Sequence, residues 1–180
     1  MPKTALGLNT SYLVSLGEQL LPHFSGVTSC DMIKSIFPTY DVNRSCVINT
    51  LEKHFKKGGH WIALFFNASK KCLYYWDPYG LKPSNHHILK FLNESAKKNI
   101  KVKYYPQSVQ GLFSVFCGYH VLSFLIHKET NMSAKDFFQI YDYQKLHLND
   151  EISAMFIQMY ITHHQARASG QQLTRPQSLT

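Results

Sequence analysis

The chain has 180 residues, of which 44% are hydrophobic and 14% aromatic, so one domain with a sizeable core is expected. It contains no run of about 18 apolar residues and no apolar N-terminal segment, so we expect neither a membrane-spanning helix nor secretion. The net charge of +8 favours acidic partners, because a basic surface attracts phosphate backbones without sequence preference.

Hydrophobic periodicity predicts helices and strands mixed along the chain. In chain order we predict helices over 11–22 and 30–37, strands over 45–49, 61–66 and 72–76, a helix over 84–98, a strand over 100–105, and helices over 117–128, 133–143 and 149–163. Residues 165–180 are polar, have no core face and predict a disordered tail. The expected architecture is a single α+β domain over residues 1–164, with a central mixed sheet flanked by helices.

A first pair of candidate residues lies at the ends of the predicted hairpin. The apolar runs 61–66 and 72–76 flank a short polar link, and a turn centred on residues 68–69 places His60 directly opposite Asp77. Their Cβ atoms would then be about 4.5–5.5 Å apart. A carboxylate at that distance can orient an imidazole ring. The alternative is a solvated histidine at a strand end and a solvated aspartate in a turn.

Cys117 begins the apolar segment 117–128, which predicts a mostly buried helix. Near the N-terminus of that helix, the dipole and the free N–H groups favour a thiolate. Gly118 would let a substrate backbone come close, and Gln110 lies seven residues upstream on a loop. The Gln110 amide and the Cys117 backbone N–H could together bind an oxyanion. The alternative is a buried, inert thiol, which is the commoner state of an isolated cysteine.

A thiol, an imidazole, a carboxylate and an amide donor are the parts of a cysteine hydrolase. His60 would take the thiol proton or hold the thiolate as an ion pair, and Asp77 would fix the tautomer of His60. The other cysteines are widely spaced, with no Cys-x-x-Cys, which fits neither a disulfide framework nor a zinc site. This spacing is typical of a reducing compartment; the other cysteines are Cys30, Cys46 and Cys72.

The motifs carry a resemblance to a known family. They are, in order, Gly58-Gly59-His60-Trp61, Trp76-Asp77-Pro78-Tyr79-Gly80, Gln107-Ser108-Val109-Gln110-Gly111 and Cys117-Gly118. Over roughly residues 40–128 the chain resembles the adenovirus protease (adenain) family, in a clan shared with the SUMO-specific proteases. SUMO proteases are usually one residue shorter between glutamine and cysteine. The chain departs from the family in having Asp77 where adenoviruses mostly have glutamate, and His120 at an ordinarily apolar position.

The resemblance implies a papain-like or adenain-like cysteine protease fold and an endopeptidase that cleaves at or beside glycine pairs. Trp61, Gly111 and Gly118 would then line a narrow substrate channel. The implied role is maturation of capsid and core precursor proteins of a DNA virus or virus-like element. The implied location is the virion and the host nucleus, or another reducing intracellular compartment, and we expect a monomer.

The resemblance also implies two activators, DNA and a short peptide. Double-stranded DNA would bind non-specifically to a run of basic residues, although a solvated basic surface is the alternative; the run comprises Lys90, Lys97, Lys98, Lys101 and Lys103. In the adenovirus family the peptide can be tethered through a cysteine, and the equivalent position here is Asn99. A peptide activator would therefore bind non-covalently, as an added strand beside residues 100–105.

No metal or small-molecule cofactor is expected. The pairs His86-His87 and His163-His164 lack cysteine or acidic partners at ligand spacing, so they are interpreted as surface histidines. Three other functions use some of the same features: a deubiquitinating or SUMO-removing protease, an acetyltransferase-type effector, and a non-catalytic DNA-packaging protein. The four candidate catalytic residues argue against the last of these.

Overall fold

Five strands form one mixed sheet in the computed structural model, which describes residues 7–55 and 58–168. The sheet order follows the chain order, with parallel pairing in the two outer pairs and antiparallel pairing around the central strand. The mixed sheet agrees with the prediction. The strands are β1 (Phe24–Ser29), β2 (Arg44–Asn49), β3 (Trp61–Asn67), β4 (Cys72–Trp76) and β5 (Lys101–Tyr104).

Helices cover both faces of this sheet. They are α1 (Thr10–Leu20), α2 (Ile33–Ile36, continuing a 3₁₀ turn at Cys30–Met32), α3 (His86–Lys97), α4 (Cys117–Glu129), α5 (Ala134–Gln139) and α6 (Leu146–Ala168). One core lies between the sheet and α1, α4, α5 and α6, and a second lies between the sheet and α2 and α3. The fold is thus the predicted single α+β domain. None of the helices among the described residues has the length and apolar character needed to cross a membrane.

The centre of the first core is aromatic, and it holds the strand that ends at Asp77. Trp76 is fully buried, stacks on Phe124 at a centroid distance of 5.0 Å and meets Phe137 edge-on at 5.5 Å. Such pairs contribute about 0.5–1.5 kcal/mol beyond the burial of their area. Removing the Phe124 ring would cost about 3–5 kcal/mol. The end of β4 is therefore rigidly placed against the helix that begins at Cys117.

The register of the β3–β4 hairpin differs from the predicted one. Asn67 pairs with Cys72, so the turn spans four residues, and Lys71 within it has a positive φ of 44°. The prediction that His60 lies directly opposite Asp77 is therefore wrong, because continuing this register puts Tyr79 at that position. The shift is two residues, and a shift by an even number keeps each side chain on its face of the sheet. The contact between His60 and Asp77 survives for this reason.

Other boundaries also depart from the expectation. Strand β1 was not predicted, because its polar and glycine residues are only half-buried and show no apolar alternation. Helix α5 ends at Gln139 instead of residue 143, and α6 begins three residues before Asn149. At its other end α6 runs to Ala168, four residues beyond the predicted domain boundary, and Ala166 is buried. The remainder of the predicted tail lies outside the described residues.

Candidate active site

His60 is held at the start of β3 by a glycine turn and by Thr50. Gly59 has a φ of +92°, and a Cβ there would lie 2.1 Å from the Asn49 side-chain oxygen, so only glycine fits. The His60 N–H donates to the Thr50 hydroxyl at 3.1 Å, and the His60 carbonyl accepts from the Thr50 N–H at 2.9 Å. These bonds fix the backbone from which the imidazole projects.

Asp77 is buried at the end of β4 and is hydrogen-bonded to the imidazole of His60. Its Oδ1 lies 2.7 Å from Nε2 of His60 and also accepts the backbone N–H of Tyr79 at 2.8 Å. With Nε2 donating to the carboxylate, the other ring nitrogen of His60 is left for the thiol. The predicted partnership of His60 and Asp77 is therefore present in the structure, with a different register beneath it.

Tyr79 is a member of the site that the sequence analysis missed. Its ring stacks on the His60 ring at a centroid distance of 4.6 Å, and its hydroxyl lies 3.5 Å from the side-chain nitrogen of Gln110. Burial, and then the nearby Cys117 and Asp77, raise the pKa of the Tyr79 phenol. The chain turns tightly from Asp77 to Gly80, whose N–H donates to the Asp77 carbonyl at 2.7 Å, and this turn brings the Tyr79 ring back over His60.

Cys117 is the first residue of α4 and is 9% exposed. The His60 ring faces both this thiol and Asp77. Burial acts against charge on the imidazole, but hydrogen bonds with Asp77 and Cys117, and the charges of both, raise the pKa of His60 to about 9. At neutral pH the site therefore favours an imidazolium, which is the form that stabilises a neighbouring thiolate.

Gln110 enters the site on a loop anchored to the Asp77 turn. The Pro78 carbonyl accepts the backbone N–H groups of Val109 and Gln110 at 2.9 and 3.1 Å. Gly80 allows this approach, because a Cβ there would lie 2.5 Å from the Pro106 carbonyl oxygen. The side chain of Gln110 is 2% exposed. The acidic motif and the glutamine motif, separate in sequence, thus form one hydrogen-bonded unit beside Cys117.

The Gln110 side chain is itself held in place. Its Nε2 donates to the Ser114 carbonyl at 2.8 Å, and its buried Oε1 has no hydrogen-bond partner within the part of the chain that the structure describes. An amide nitrogen carries two protons, and the second is directed at the Tyr79 hydroxyl at 3.5 Å, a long contact that an oxyanion in the cleft could replace.

A cleft of about 560 Å³ joins these side chains. Of the three predicted channel residues, Trp61 lines it, and its indole N–H donates to the Leu8 carbonyl at 3.1 Å. Gly118 is placed differently: a Cβ there would lie 2.8 Å from the Leu8 side chain, so this glycine serves the packing of α4 against the N-terminal segment. Gly111 has its nearest neighbour in Leu146 of α6. Neither glycine is among the residues that line this cleft, so their channel role stays a prediction without support from the cleft.

A second histidine–aspartate pair, with a buried histidine and a half-buried aspartate, lies one helical turn beyond Cys117. His120 is fully buried, and its Nε2 lies 2.9 Å from Asp150 Oδ1, while Ser153 Oγ lies 2.7 Å from its Nδ1. The same Asp150 oxygen accepts the hydroxyl of Ser114 at 2.9 Å. Only the unusual position of His120 was visible in the sequence. Its partners come from another helix and were not identified.

The remaining predicted residues lie outside this cluster. The five candidate DNA-contacting lysines are exposed on α3, β5 and the turn between them. Cys30, Cys46 and Cys72 are free and buried, and full burial raises the pKa of Cys46 far above its usual value. The structure also places Glu52 beside His86 and His87, so the histidine pair has an acidic neighbour that the sequence spacing did not show.

The fold resembles that of a solved protease structure. The ASFV pS273R protease superposes with a TM-score of 0.58 at 15% identity, covering 89% of this chain and 68% of that one. The SUMO protease Ulp1, solved with its catalytic cysteine oxidized, gives a TM-score of 0.47 at 11% identity, covering 86% of this chain and 79% of that one. No curated protein sequence matches significantly.

The sequence profile described as adenovirus endoprotease matches residues 30–166, which is well over half of the chain and includes His60, Asp77, Gln110 and Cys117. The chain therefore belongs to the adenovirus endoprotease family and is a cysteine protease.

Proposed function

We propose that the protein is an endopeptidase that cleaves at or next to glycine pairs and matures the capsid and core precursors of a DNA virus or virus-like element. The proposed chemistry rests on the arrangement of Cys117, His60 and Asp77. Cys117 begins a helix beside His60, and Asp77 lies 2.7 Å from Nε2 of that imidazole, the nitrogen away from the thiol. The family membership supports the biological role.

In the proposed reaction, His60 takes the thiol proton and the Cys117 sulfur attacks the peptide carbonyl. The sulfur–carbon bond forms, and the carbonyl oxygen becomes an oxyanion that the Gln110 side chain and the Cys117 backbone N–H stabilise. The carbon–nitrogen bond then breaks, and the leaving amine takes the proton from His60. Water hydrolyses the thioester, with His60 as the base, and the thiol is restored. Asp77 keeps the imidazole in one orientation throughout.

The walls of the cleft favour substrates with small residues next to the cleaved bond. The Trp61 indole cannot swing away freely, because the Leu8 carbonyl holds its N–H. On the other side the N-terminal segment lies close to Val115, and a side chain at Gly7 would lie 2.5 Å from the Val115 carbonyl oxygen. A passage between a fixed indole and a backbone wall favours an extended chain with glycine at the narrowest point.

A direct test is cleavage of a fluorogenic peptide ending in two glycines, with the same peptide carrying two valines as the matched control. The proposal expects cleavage of the first peptide and not of the second. Two fusion proteins, with SUMO and with ubiquitin, test the alternative class. Efficient cleavage of the fusions together with no cleavage of diglycine peptides or capsid precursors would reject the maturation role and favour a modifier-removing protease.

The proposed activators are DNA and a peptide. Support for DNA comes from exposed lysines on neighbouring elements, Lys97 in α3 and Lys101 in β5 among them. Support for the peptide comes from β5, which is the edge strand of the sheet, so its outer side could accept an added strand. The family implies action in the virion and the host nucleus, with structural precursors as substrates.

The DNA proposal has its own test, which is cleavage of the diglycine peptide with and without duplex DNA over a salt series. Stimulation should be independent of DNA sequence and should fall steeply with salt. Each phosphate contact contributes about one unit to the slope of the logarithm of the binding constant against the logarithm of the salt concentration. Replacing Lys97, Lys98, Lys101 and Lys103 by glutamine should flatten the slope. Stimulation that salt does not affect would reject this proposal.

A further inference from the structure

The loop that carries Gln110 into the site, residues 110–116, has little apolar packing of its own. Leu112 is 84% exposed, Phe113 is 99% exposed and Val115 is 56% exposed. Burial of apolar area is the main force that fixes most loops, and it is nearly absent here. Yet an oxyanion donor must be held within a fraction of an ångström of its working position. Hydrogen bonds must therefore fix this loop.

Two neighbouring residues of α6 supply those hydrogen bonds at both ends of the loop. The buried Asn149 side chain donates to the Val109 carbonyl at 3.0 Å, directly before Gln110. Asp150 accepts the Ser114 hydroxyl at 2.9 Å, near the other end. Helix α6 thereby holds the loop from below, on the side away from solvent.

Ser114 connects this anchor to both candidate oxyanion donors. Its carbonyl accepts from the Gln110 side chain at 2.8 Å, and its hydroxyl oxygen accepts the Phe116 backbone N–H at 3.1 Å. Phe116 is the residue before Cys117, so its placement sets the direction of the Cys117 N–H. One serine thus positions the side-chain donor through its carbonyl and the backbone donor through its hydroxyl.

His120 keeps Asp150 in a single orientation. With the proton on Nε2, His120 donates to Asp150, and its Nδ1 accepts the Ser153 hydroxyl. Ser153 in turn lies 2.9 Å from the Tyr141 hydroxyl, which completes a buried chain in which every hydroxyl has a partner. A fully satisfied network of this kind is rigid, and one carboxylate oxygen holds two donors from different elements.

We infer that Asp150, oriented by His120, is a positioning residue for the oxyanion donors and acts through Ser114. This inference rests on the proposed role of Gln110. It assigns to the His120–Asp150 pair a part in the reaction rate without any contact with the substrate. It also explains why a histidine occupies this position on the helix of Cys117.

The test is a double-mutant cycle between Ser114→Ala and Gln110→Ala, read as kcat and KM on the diglycine peptide. Ser114→Ala removes the hydroxyl that links Asp150 to the loop, and it should lower kcat by about 10-fold with little change in KM. In the Gln110→Ala background the same substitution should have much less effect, because most of what it positions is already gone. Ser114→Thr keeps the hydroxyl and should restore most of the lost rate.

A second readout separates positioning from a general structural role. Alkylation of Cys117 by iodoacetamide needs the thiolate and no oxyanion donor, so Ser114→Ala should keep the wild-type alkylation rate. If Gln110→Ala has normal activity, the proposed oxyanion role fails. If Gln110→Ala is slow but Ser114→Ala lowers the rate equally in both backgrounds, or lowers the alkylation rate by as much as kcat, the positioning role is overturned.

A different observation points to a metal site on the loop that leads to His60. Oε1 of Glu52 lies 3.3 Å from Nε2 of His87, and Oε2 lies 3.4 Å from Nδ1 of His54. One ligand atom each from Glu52, His86 and His87 lie within 4.8 Å of one another. Two histidines and one carboxylate are a common ligand set for zinc.

The contacts of Glu52 are long enough to accommodate a shared ion. Charge-assisted hydrogen bonds usually measure about 2.7–2.9 Å, and both contacts of Glu52 are longer. Ligand atoms about 2.0–2.1 Å from a tetrahedral zinc are about 3.3–3.4 Å apart, which matches the contact of Glu52 with His87. The His86 ligand atom lies within 4.8 Å of both, so a side-chain rotation would bring it to the ion. The geometry points to a zinc site formed by Glu52, His86 and His87, with the exposed His54 as a further ligand, joining the loop before His60 to the start of α3.

The probe is zinc alone, titrated calorimetrically into the full chain carrying Cys117→Ala, which removes the catalytic thiol as a competing ligand. One equivalent should bind, and Glu52→Gln should weaken binding by at least about 10-fold. The double variant His163→Ala, His164→Ala is the matched control and should bind normally. Unchanged affinity in Glu52→Gln, or loss of binding in the control, would overturn the assignment. Cobalt should give the visible absorption of a tetrahedral site in the Cys117→Ala protein, and this absorption should be absent when Glu52→Gln is added.

Discussion

The two histidine–aspartate pairs of this protein have nearly the same bond and different surroundings. Nε2 lies 2.7 Å from the carboxylate in His60–Asp77 and 2.9 Å in His120–Asp150. The His60 side chain is 19% exposed, and its remaining nitrogen faces the Cys117 thiol. His120 is 0% exposed, and its remaining nitrogen is taken by Ser153.

A histidine–aspartate bond therefore does not by itself identify a catalytic base. What separates the pairs is the partner of the second ring nitrogen. A base needs that nitrogen for the reacting proton and needs access to the cleft, and His60 has both. A buried imidazole with both nitrogens in hydrogen bonds can only hold its neighbours in place. Substitutions in each pair test this distinction.

The largest expected effect comes from the pair that faces the thiol. His60→Ala and Cys117→Ala should each reduce peptide cleavage by about 10⁶-fold, because loss of either the base or the nucleophile removes the whole pathway. His120→Gln should reduce kcat by only about 10-fold, since it disturbs positioning alone. The measurement is kcat on the diglycine peptide, with circular dichroism to check the fold. Equal losses in His60→Ala and His120→Gln would break the comparison.

The next effect concerns the donor that the second pair is inferred to position. Gln110→Ala should lower kcat by about 10²–10³-fold and leave KM nearly unchanged, because an oxyanion donor acts mainly in the transition state. Gln110→Glu is a useful companion of similar size, and it should be at least as slow, because a carboxylate repels the oxyanion. Turnover near the wild-type rate in Gln110→Ala would remove Gln110 from the mechanism.

The sequence could identify the first pair and not the second, for a physical reason. Each of the four catalytic residues lies in a short motif with a neighbouring glycine, proline or helix start, and such features can be recognised from adjacent residues alone. The four are His60, Asp77, Gln110 and Cys117. The contact of His60 with Asp77 also depends on a hairpin, which is a local element. The predicted contact is present although the predicted register was wrong by two residues. The bond between His120 and Asp150 joins two helices that are separated by α5, so no local pattern announces it.

The same reasoning explains two differences from the predictions. Gly118 was assigned to the substrate because glycine next to a nucleophile allows close approach, but Leu8 fills the space above it. The last helix was predicted to begin at Asn149, yet α6 begins at Leu146, and the Asn149 side chain donates to the Val109 carbonyl. Both differences concern contacts with segments distant in sequence. Tertiary packing decides such contacts, and composition and periodicity carry no record of it.

A pH profile distinguishes the pairs by their response to charge. The pKa of His60 is raised from 6.5 to about 9, so the imidazolium should persist up to about pH 9. The stability that this charge adds to the fold is complete below pH 6.5, declines above it and is gone once the pH has risen through about 9. We expect kcat/KM to fall above about pH 9 for this reason.

Asp77→Asn should move the alkaline limb down by about one to two pH units, because it removes a charge-assisted bond of about 1.5–3 kcal/mol. Asp150→Asn should leave that limb in place while lowering kcat, since Asp150 holds no group that donates the reacting proton. The comparison would fail if Asp150→Asn moved the limb and Asp77→Asn did not.

The smallest effect on the reaction should come from Ser153→Ala, at the far end of the second pair. This change leaves the buried Nδ1 of His120 without a partner and removes one of the hydrogen bonds of the Tyr141 hydroxyl, which Ser123 still contacts. The free energy of unfolding should fall by about 1–3 kcal/mol. Catalysis should change by less than about 3-fold, because Asp150 still holds Ser114 and one weakened support shifts the loop little.

Thr162→Ala, exposed on the same helix, is the matched control, and its free energy of unfolding should change by less than about 0.5 kcal/mol. Urea unfolding gives the stabilities, and a Ser153→Ala enzyme that is fully stable but as slow as Ser114→Ala would place Ser153 among the positioning residues.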